Sequence, residues 1–149
     1  MQIMDRMVRA SFASTRDAHS AALWYCAMGK RSALAVMFRS IGESKVAAFL
    51  SRDFSTDSHR AAAAKNAHLL LSQHKYAMAA AFFVLAADVT AAAEVCINEL
   101  ADAQRALMLC RLLDASHAVP AKQGASSGFD FKIKSHTFWI ILPEKHLFR

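Results

Sequence analysis

The sequence predicts an all-α chain of antiparallel helical hairpins, a short α-solenoid of TPR or coatomer-like kind, with an irregular or short β tail at its C-terminus. Three observations predict it. Alanine supplies 31 of the 149 residues, and every one lies at or before Ala125. Alanine is the best helix former, and its small side chain lets helices approach closely. Glycine numbers 4 and proline 2, too few turn formers for an all-β sandwich. Apolar residues recur at helical spacing, and the later runs are separated by gaps so short that neighbouring helices must lie antiparallel.

The first predicted helix covers Gln2 to Ala13, with Ile3, Met7, Ala10 and Phe12 as its apolar pattern. Asp17 offers an N-cap or first-turn acid for the second, which carries Ala21, Ala22, Leu23, Trp24, Tyr25, Cys26 and Met28. Gly29 is placed to close it, because glycine enters the left-handed conformation at little cost. The third runs from Ser32 to Ile41 through Leu34, Met37, Phe38 and Ile41, and Gly42 stops it in the same way. A short fourth covers Glu43 to Ser51 with Val46, Ala47, Phe49 and Leu50.

Asp53 to Ser58 is rich in small polar residues and is predicted as a loop with an N-cap. The helix after it spans Ser58 to Gln73. Ser58, Ala61, Lys65, His68 and Ser72 share one face, and Ala63, Ala64, Ala67, Leu70 and Leu71 the other. Asn66 projects towards the apolar side, where an amide needs partners. It is expected to satisfy a neighbouring loop or helix end, so that alanine there lowers thermal stability. Lys75 to Ala87 is apolar nearly all round, as a helix buried between others must be. Asp88 separates it from a helix over Val89 to Leu100. Asp102 opens the last, Ala103 to Asp114, with Ala106, Leu107, Cys110 and Leu113 as its inner stripe. Paired this way, the helices repeat at roughly thirty residues, the general grammar of α-solenoids.

Residues 1–116 are therefore expected to form the helical segment. Residues 117–128, with Pro120, Gly124, Ser126, Ser127 and Gly128, read as a linker. Residues 129–149 form a tail of a different character. Phe129, Phe131 and Ile133 alternate with charged residues, and the run Phe138-Trp139-Ile140-Ile141-Leu142 follows.

Composition excludes several function classes. The net charge is +6, but the basic residues are scattered, and no basic run exceeds Lys30-Arg31. With no nucleic-acid signature beside them, a mixed solvated surface is the reading, and nucleic acid is not an expected partner. Cys26, Cys96 and Cys110 are odd in number and widely spaced, which argues against a disulfide framework and for a cytoplasmic chain. The N-terminus has no apolar signal region. The most apolar stretch, Tyr76 to Ala87, is shorter than the roughly 20 residues a membrane span needs.

Chemistry-bearing constellations are also missing from the sequence. There is no Gly-rich phosphate loop and no G-x-S-x-G elbow. The seven histidines form no i, i+4 pair with another histidine or a cysteine, and neither HExxH nor CxxC occurs. No catalytic, cofactor-binding or metal-ligating residue is assigned, and no cofactor is expected.

Several strings are distinctive as an ordered set. They are Ala22-Leu23-Trp24-Tyr25-Cys26-Ala27-Met28-Gly29-Lys30, Phe49-Leu50-Ser51-Arg52-Asp53-Phe54-Ser55, and Arg60-Ala61-Ala62-Ala63-Ala64-Lys65-Asn66-Ala67. His74-Lys75-Tyr76 with Ala79 to Ala86, Ala92 to Cys96, and Asp102 to Leu107 with Arg111-Leu112 complete it. Over Asp17 to Asp114 this order resembles the helical region of the rabconnectin-3/DmX-like proteins, which include the large subunit of the yeast RAVE complex. His59 stands where that family usually has Trp, Ala63 replaces a larger apolar residue, and Val84 stands within the usual apolar run. From about Ala115 the pattern is no longer followed, so the chain is expected to be a slice of a longer solenoid with an unrelated end.

The resemblance implies a non-enzymatic scaffold that regulates assembly of the vacuolar-type proton ATPase and organelle acidification. It implies ATPase subunits and RAVE-type complex members as partners, with peripheral association on endomembranes. The alternative is a generic helical-repeat adaptor of a trafficking or coat complex. Within the matching strings the candidate residues are Asp53, Phe54, Lys65, Asn66, Phe82 and Phe83. Asp53 and Phe54 are expected to shape the loop, Asn66 to satisfy backbone groups, and Phe82 and Phe83 to be core.

Overall fold

In the computed structural model the described residues are 2–117, with side chains as far as Asp114. Their regular structure is all α-helix, with no strand among them. The helices are α1 (Gln2–Thr15), α2 (Ala18–Ala27), α3 (Arg31–Ser40), α4 (Ser44–Leu50), α5 (Asp57–Ser72), α6 (Tyr76–Leu85), α7 (Val89–Asn98) and α8 (Ala103–His117). They belong to a unit bounded at Val119. The expected linker past His117 and the tail of residues 129–149 lie outside the described residues.

One local device sets most of the connections. At Gly29, Gly42, His74 and Ala87 the backbone turns left-handed, with φ between 58° and 86°. The next N–H then reaches the carbonyl five residues back: Lys30 to Tyr25, Glu43 to Phe38, Lys75 to Leu70 and Asp88 to Phe83, each at 2.9 Å. This is the Schellman closure, which satisfies helix-end carbonyls and turns the chain sharply. The residue that donates this bond is also the N-cap of the following helix, so α2–α3, α3–α4, α5–α6 and α6–α7 share one connection. Asp17 caps α2 by accepting the N–H groups of His19 and Ser20 at 2.9 and 3.2 Å. Asp88 and Asp102 cap α7 and α8 through Ala91 N–H and Arg105 N–H.

Two helices form the interior. α2 buries Ala18, Ala21, Ala22, Leu23, Tyr25, Cys26 and Ala27; α6 buries Met78 through Phe83 and Leu85. A helix apolar on every side must be covered on every side. α6 accordingly packs on α2, α5 and α7, while α2 packs on α1, α3, α6 and α8. In a strictly one-dimensional array each repeat touches only its chain neighbours. The α2–α6 and α2–α8 contacts join helices distant in the chain and give the unit a shared centre.

Three sequence expectations are corrected here. The apolar stripe of α1 is Met4, Val8 and Phe12, whereas Ile3 and Met7 are 75% and 63% exposed. The cause is polar. Asp5 holds Lys30 at 2.9 Å and Arg9 at 3.2 Å, which fixes the helix with the 4–8–12 seam inward. In α8 the buried residues are Ala106 and Leu109, and Leu107 is 55% exposed. At α5 the N-cap is Thr56, but its hydroxyl donates to the Asp53 carbonyl at 3.2 Å and caps nothing.

Candidate interaction surface

The turn between α4 and α5 carries the predicted pair Asp53 and Phe54. Phe54 is buried, with its ring tilted against Phe49 at 5.5 Å between centroids. Phe49 in turn stacks on Phe82 of α6 at 5.2 Å and 12°. Three rings thus tie an exposed turn to the innermost helix, an offset aromatic arrangement that adds to plain area burial. Asp53 is exposed. Its carboxylate accepts the Ser55 N–H at 3.0 Å and the Ser55 hydroxyl at 2.8 Å, a local turn that uses the side chain as a backbone mimic. The Ser55 N–H, then its hydroxyl, hold this carboxyl below its ordinary pKa, with a smaller contribution from Arg31. The Asp53 carbonyl also meets His59 Nδ1 at 2.5 Å. Asp53 thus bonds within the turn, and Phe54 packs beneath it.

Around the same turn lie three arginines that sequence reasoning did not single out. The Arg31 guanidinium sits 5.2 Å from the Phe54 centroid, and its Nη1 donates to the Arg52 carbonyl at 3.1 Å. The Arg52 guanidinium sits 4.9 Å from the Phe49 centroid. Arg39 Nη2 reaches the Ser51 hydroxyl at 3.5 Å. Part of this is helix capping, since cations favour the carbonyl end of a helix. Among the described residues the ion pairs are Asp5 with Arg9 and Lys30, His19–Glu43, Asp57–Arg60 and Asp102–Arg105; none involves these three arginines. Phe49 and Arg52 lie within a string the sequence flagged. Arg31 and Arg39 are on another helix, and only the α3–α4 hairpin brings them to the turn.

The other predicted residues stand apart from it. Lys65 is exposed on α5. Asn66 is half-buried and donates Nδ2 to the Ala62 carbonyl at 2.9 Å. It bonds its own helix and not a neighbouring loop or helix end, which corrects the sequence expectation. Phe82 and Phe83 are core, at 6% and 3% exposure. Phe83 lies edge-on to His68 at 5.1 Å, under a groove also lined by Leu71, Glu94, Val95 and Glu99. A second groove is lined by His19, Glu43, His74, Lys75 and Tyr76. Its polar groups pair locally: His19 with Glu43 at 2.9 Å and His74 Nδ1 with the Tyr76 hydroxyl at 2.6 Å.

Burial pushes the Cys26 thiol up to about 12 and the Cys96 thiol up to about 11. Thiols held protonated at neutral pH are poor nucleophiles and poor ligands. Among the described residues no cluster of three His, Cys, Asp or Glu side chains could hold a metal ion, and no helix is long and apolar enough to cross a membrane. What the surface offers is a turn with three arginines around it, two of them over phenylalanine rings.

Comparison with known proteins places the chain in a family. The family described as "RAVE protein 1 C terminal" matches residues 1–120. DmX-like protein 1 of Mus musculus is 34% identical over 144 residues, 97% of this chain and 4% of the mouse protein. DmX-like protein 1 of Homo sapiens is 33% identical over 112 residues, 75% of this chain and 4% of its own. "Regulator of V-ATPase in vacuolar membrane protein 1" of Saccharomyces cerevisiae is 33% identical over 106 residues, 68% of this chain and 8% of the yeast protein. The chain spans less than a tenth of each of these relatives. The mouse alignment also reaches well past Ala115, so similarity extends into the segment the sequence reading took for an unrelated end. On a family match that covers most of its length, with relatives a third identical, the chain belongs to the RAVE protein 1 C-terminal family, that of the rabconnectin-3/DmX-like proteins.

Proposed function

We propose that the chain acts as a non-enzymatic scaffold segment in regulating assembly of a vacuolar-type proton ATPase, and through it organelle acidification. One observation carries this reading: the family match over residues 1–120, with relatives in two yeasts named as regulators of the V-ATPase in the vacuolar membrane. Fold alone would not carry it, because helical arrays serve many functions. The physical role is to present a preformed helical surface. Schellman closures join α2 to α4 and α5 to α7 with almost no slack, and the α2–α6 contact fixes one run on the other. A preformed surface loses little conformational freedom on binding. In this reading the helices are one section of a longer α-solenoid, the partners are ATPase subunits and RAVE-type complex members, and the chain is cytoplasmic and peripheral on endomembranes.

Affinity purification of the chain from cell extract followed by mass spectrometry tests the reading. Enrichment of V-ATPase subunits over a scrambled-surface control supports it. Recovery of coat subunits without ATPase subunits overturns it in favour of a generic trafficking adaptor.

A further inference from the structure

Three arginines surround the α4–α5 turn. Arg31 and Arg39 both reach the turn just past α4, at the Arg52 carbonyl and the Ser51 hydroxyl, and Arg52 belongs to that turn itself. None of the three guanidiniums bonds a carbonyl of α4 itself. Two of the three lie over phenylalanine rings, Arg31 on Phe54 and Arg52 on Phe49, contacts that favour a guanidinium at that place. The rings themselves are anchored through Phe82 to the buried helix α6. The turn's own carboxylate, Asp53, spends its oxygens on Ser55. Among the described residues none of the three arginines makes a direct ion pair, and the Asp53 carboxylate acts on Arg31 only at longer range.

We propose that Arg31, Arg39 and Arg52 form a docking site for an acidic segment of a partner protein, whose carboxylates accept the guanidinium N–H groups. Planar guanidinium forks match carboxylates, which accept two parallel hydrogen bonds. The exposed Asp53 carboxylate amid the arginines weakens attraction to a uniformly anionic lipid surface, and a peptide can place its charges around it. The proposal rests on the reading of the chain as a protein-binding scaffold, but not on which protein supplies the segment.

The test measures binding of a glutamate-rich peptide to the full chain by fluorescence anisotropy at low and physiological salt, with its glutamine counterpart as control. Vesicles of phosphatidylcholine with and without phosphatidylserine form a separate arm. The variant Arg31→Gln/Arg39→Gln/Arg52→Gln is expected to weaken peptide binding by about tenfold or more, since charge-assisted pairs to several arginines are lost together. Arg6→Gln/Arg16→Gln/Arg111→Gln removes equal charge from exposed positions elsewhere and is expected to stay within about twofold. Circular dichroism and a thermal melt check folding. Arg31→Lys/Arg52→Lys keeps charge without the planar fork and is expected to fall between the two. Equal loss in both triple variants, or binding to phosphatidylserine vesicles without binding to the peptide, overturns the proposal. Peptide binding that survives while purification recovers no ATPase subunit overturns the functional reading and leaves the site standing.

Discussion

α5 and α6 both carry runs of alanine, Ala61 to Ala64 and Ala79 to Ala81, and use them oppositely. In α6 all three are fully buried, against α2, α5 and α7. There alanine works by what it lacks, since a missing side chain lets helix axes approach. In α5 Ala61 is exposed, Ala62 and Ala64 are half-buried, and Ala63 alone of the four is buried. There alanine works mainly through helix propensity. The surrounding residues decide between the two uses. Arg60, Lys65 and His68 mark α5 as one-sided, while Met78, Phe82, Phe83 and Leu85 leave α6 no polar face.

The largest test of that contrast is Phe82→Ala. The ring is 6% exposed and stacks on Phe49. Truncation should cost about 3–5 kcal/mol, as for other buried phenylalanines. It should also loosen the α4–α5 turn, read as faster hydrogen exchange at Ser55 than at Gln73. On α5, Leu69→Ala at a 55% exposed position should stay within about 0.5 kcal/mol by urea unfolding. Comparable losses at the two sites would mean that α5 is covered by something and is not a surface helix.

Next is enlargement of the alanines themselves. Ala80→Leu puts extra carbons into a fully buried position and should destabilise by about 1–3 kcal/mol. Ala61→Leu, on the outer face of α5, should change stability by less than about 0.5 kcal/mol. A neutral Ala80→Leu would show that α6 has room beside its neighbours, and the close-approach account of its alanines would fail.

The ends of the two helices give a third, smaller test. α5 turns left-handed at His74 and α6 at Ala87, with φ of 58° and 62°. A side chain in this region costs roughly 1–2 kcal/mol relative to glycine, partly offset by glycine's greater freedom when unfolded. Ala87→Gly should therefore raise stability by about 0.5–1 kcal/mol. His74→Gly should gain less, because histidine tolerates this region better and its ring bonds the Tyr76 hydroxyl at 2.6 Å. A larger gain at His74 than at Ala87 in thermal melts would show that the ring contact contributes nothing.

The same residues show how far the sequence could be read. The turns at Gly29 and Gly42 were legible because glycine announces the left-handed conformation. The identical turns at His74 and Ala87 carry no such mark, and only the short spacing between apolar runs located them. All eight helices among the described residues were recognisable from their apolar runs and the gaps between them, but the rotation of α1 was not. Ile3 and Met7 look as apolar as Met4 and Val8, and the deciding contact, Asp5 with Lys30, spans two helices. Asp53 and Phe54 were visible inside a string. The arginine cluster was not, because cation–aromatic contacts between α3 and the α4–α5 turn have no local sequence signature.

Asn66 gives the smallest expected effect and the sharpest reading of α5. On the sequence alone it was a buried amide reaching for a neighbouring element, and alanine there should have lowered stability. In the structure its amide donates to the Ala62 carbonyl, one turn back in the same helix. That carbonyl is already positioned to accept the helical N–H of residue 66, so the side-chain bond is a second one and its loss leaves no orphaned acceptor. Alanine also exceeds asparagine in helix propensity by up to about 0.7 kcal/mol. The two terms oppose, and Asn66→Ala should leave the urea midpoint shifted by no more than about 0.5 kcal/mol in either direction. A loss above about 1 kcal/mol would mean that the amide oxygen holds a partner on another element, so that α5 is locked into the core through Asn66 as α6 is through its aromatic rings. Unchanged stability with loss of ATPase-subunit capture would instead make Asn66 part of the binding surface, and α5 the helix that presents it.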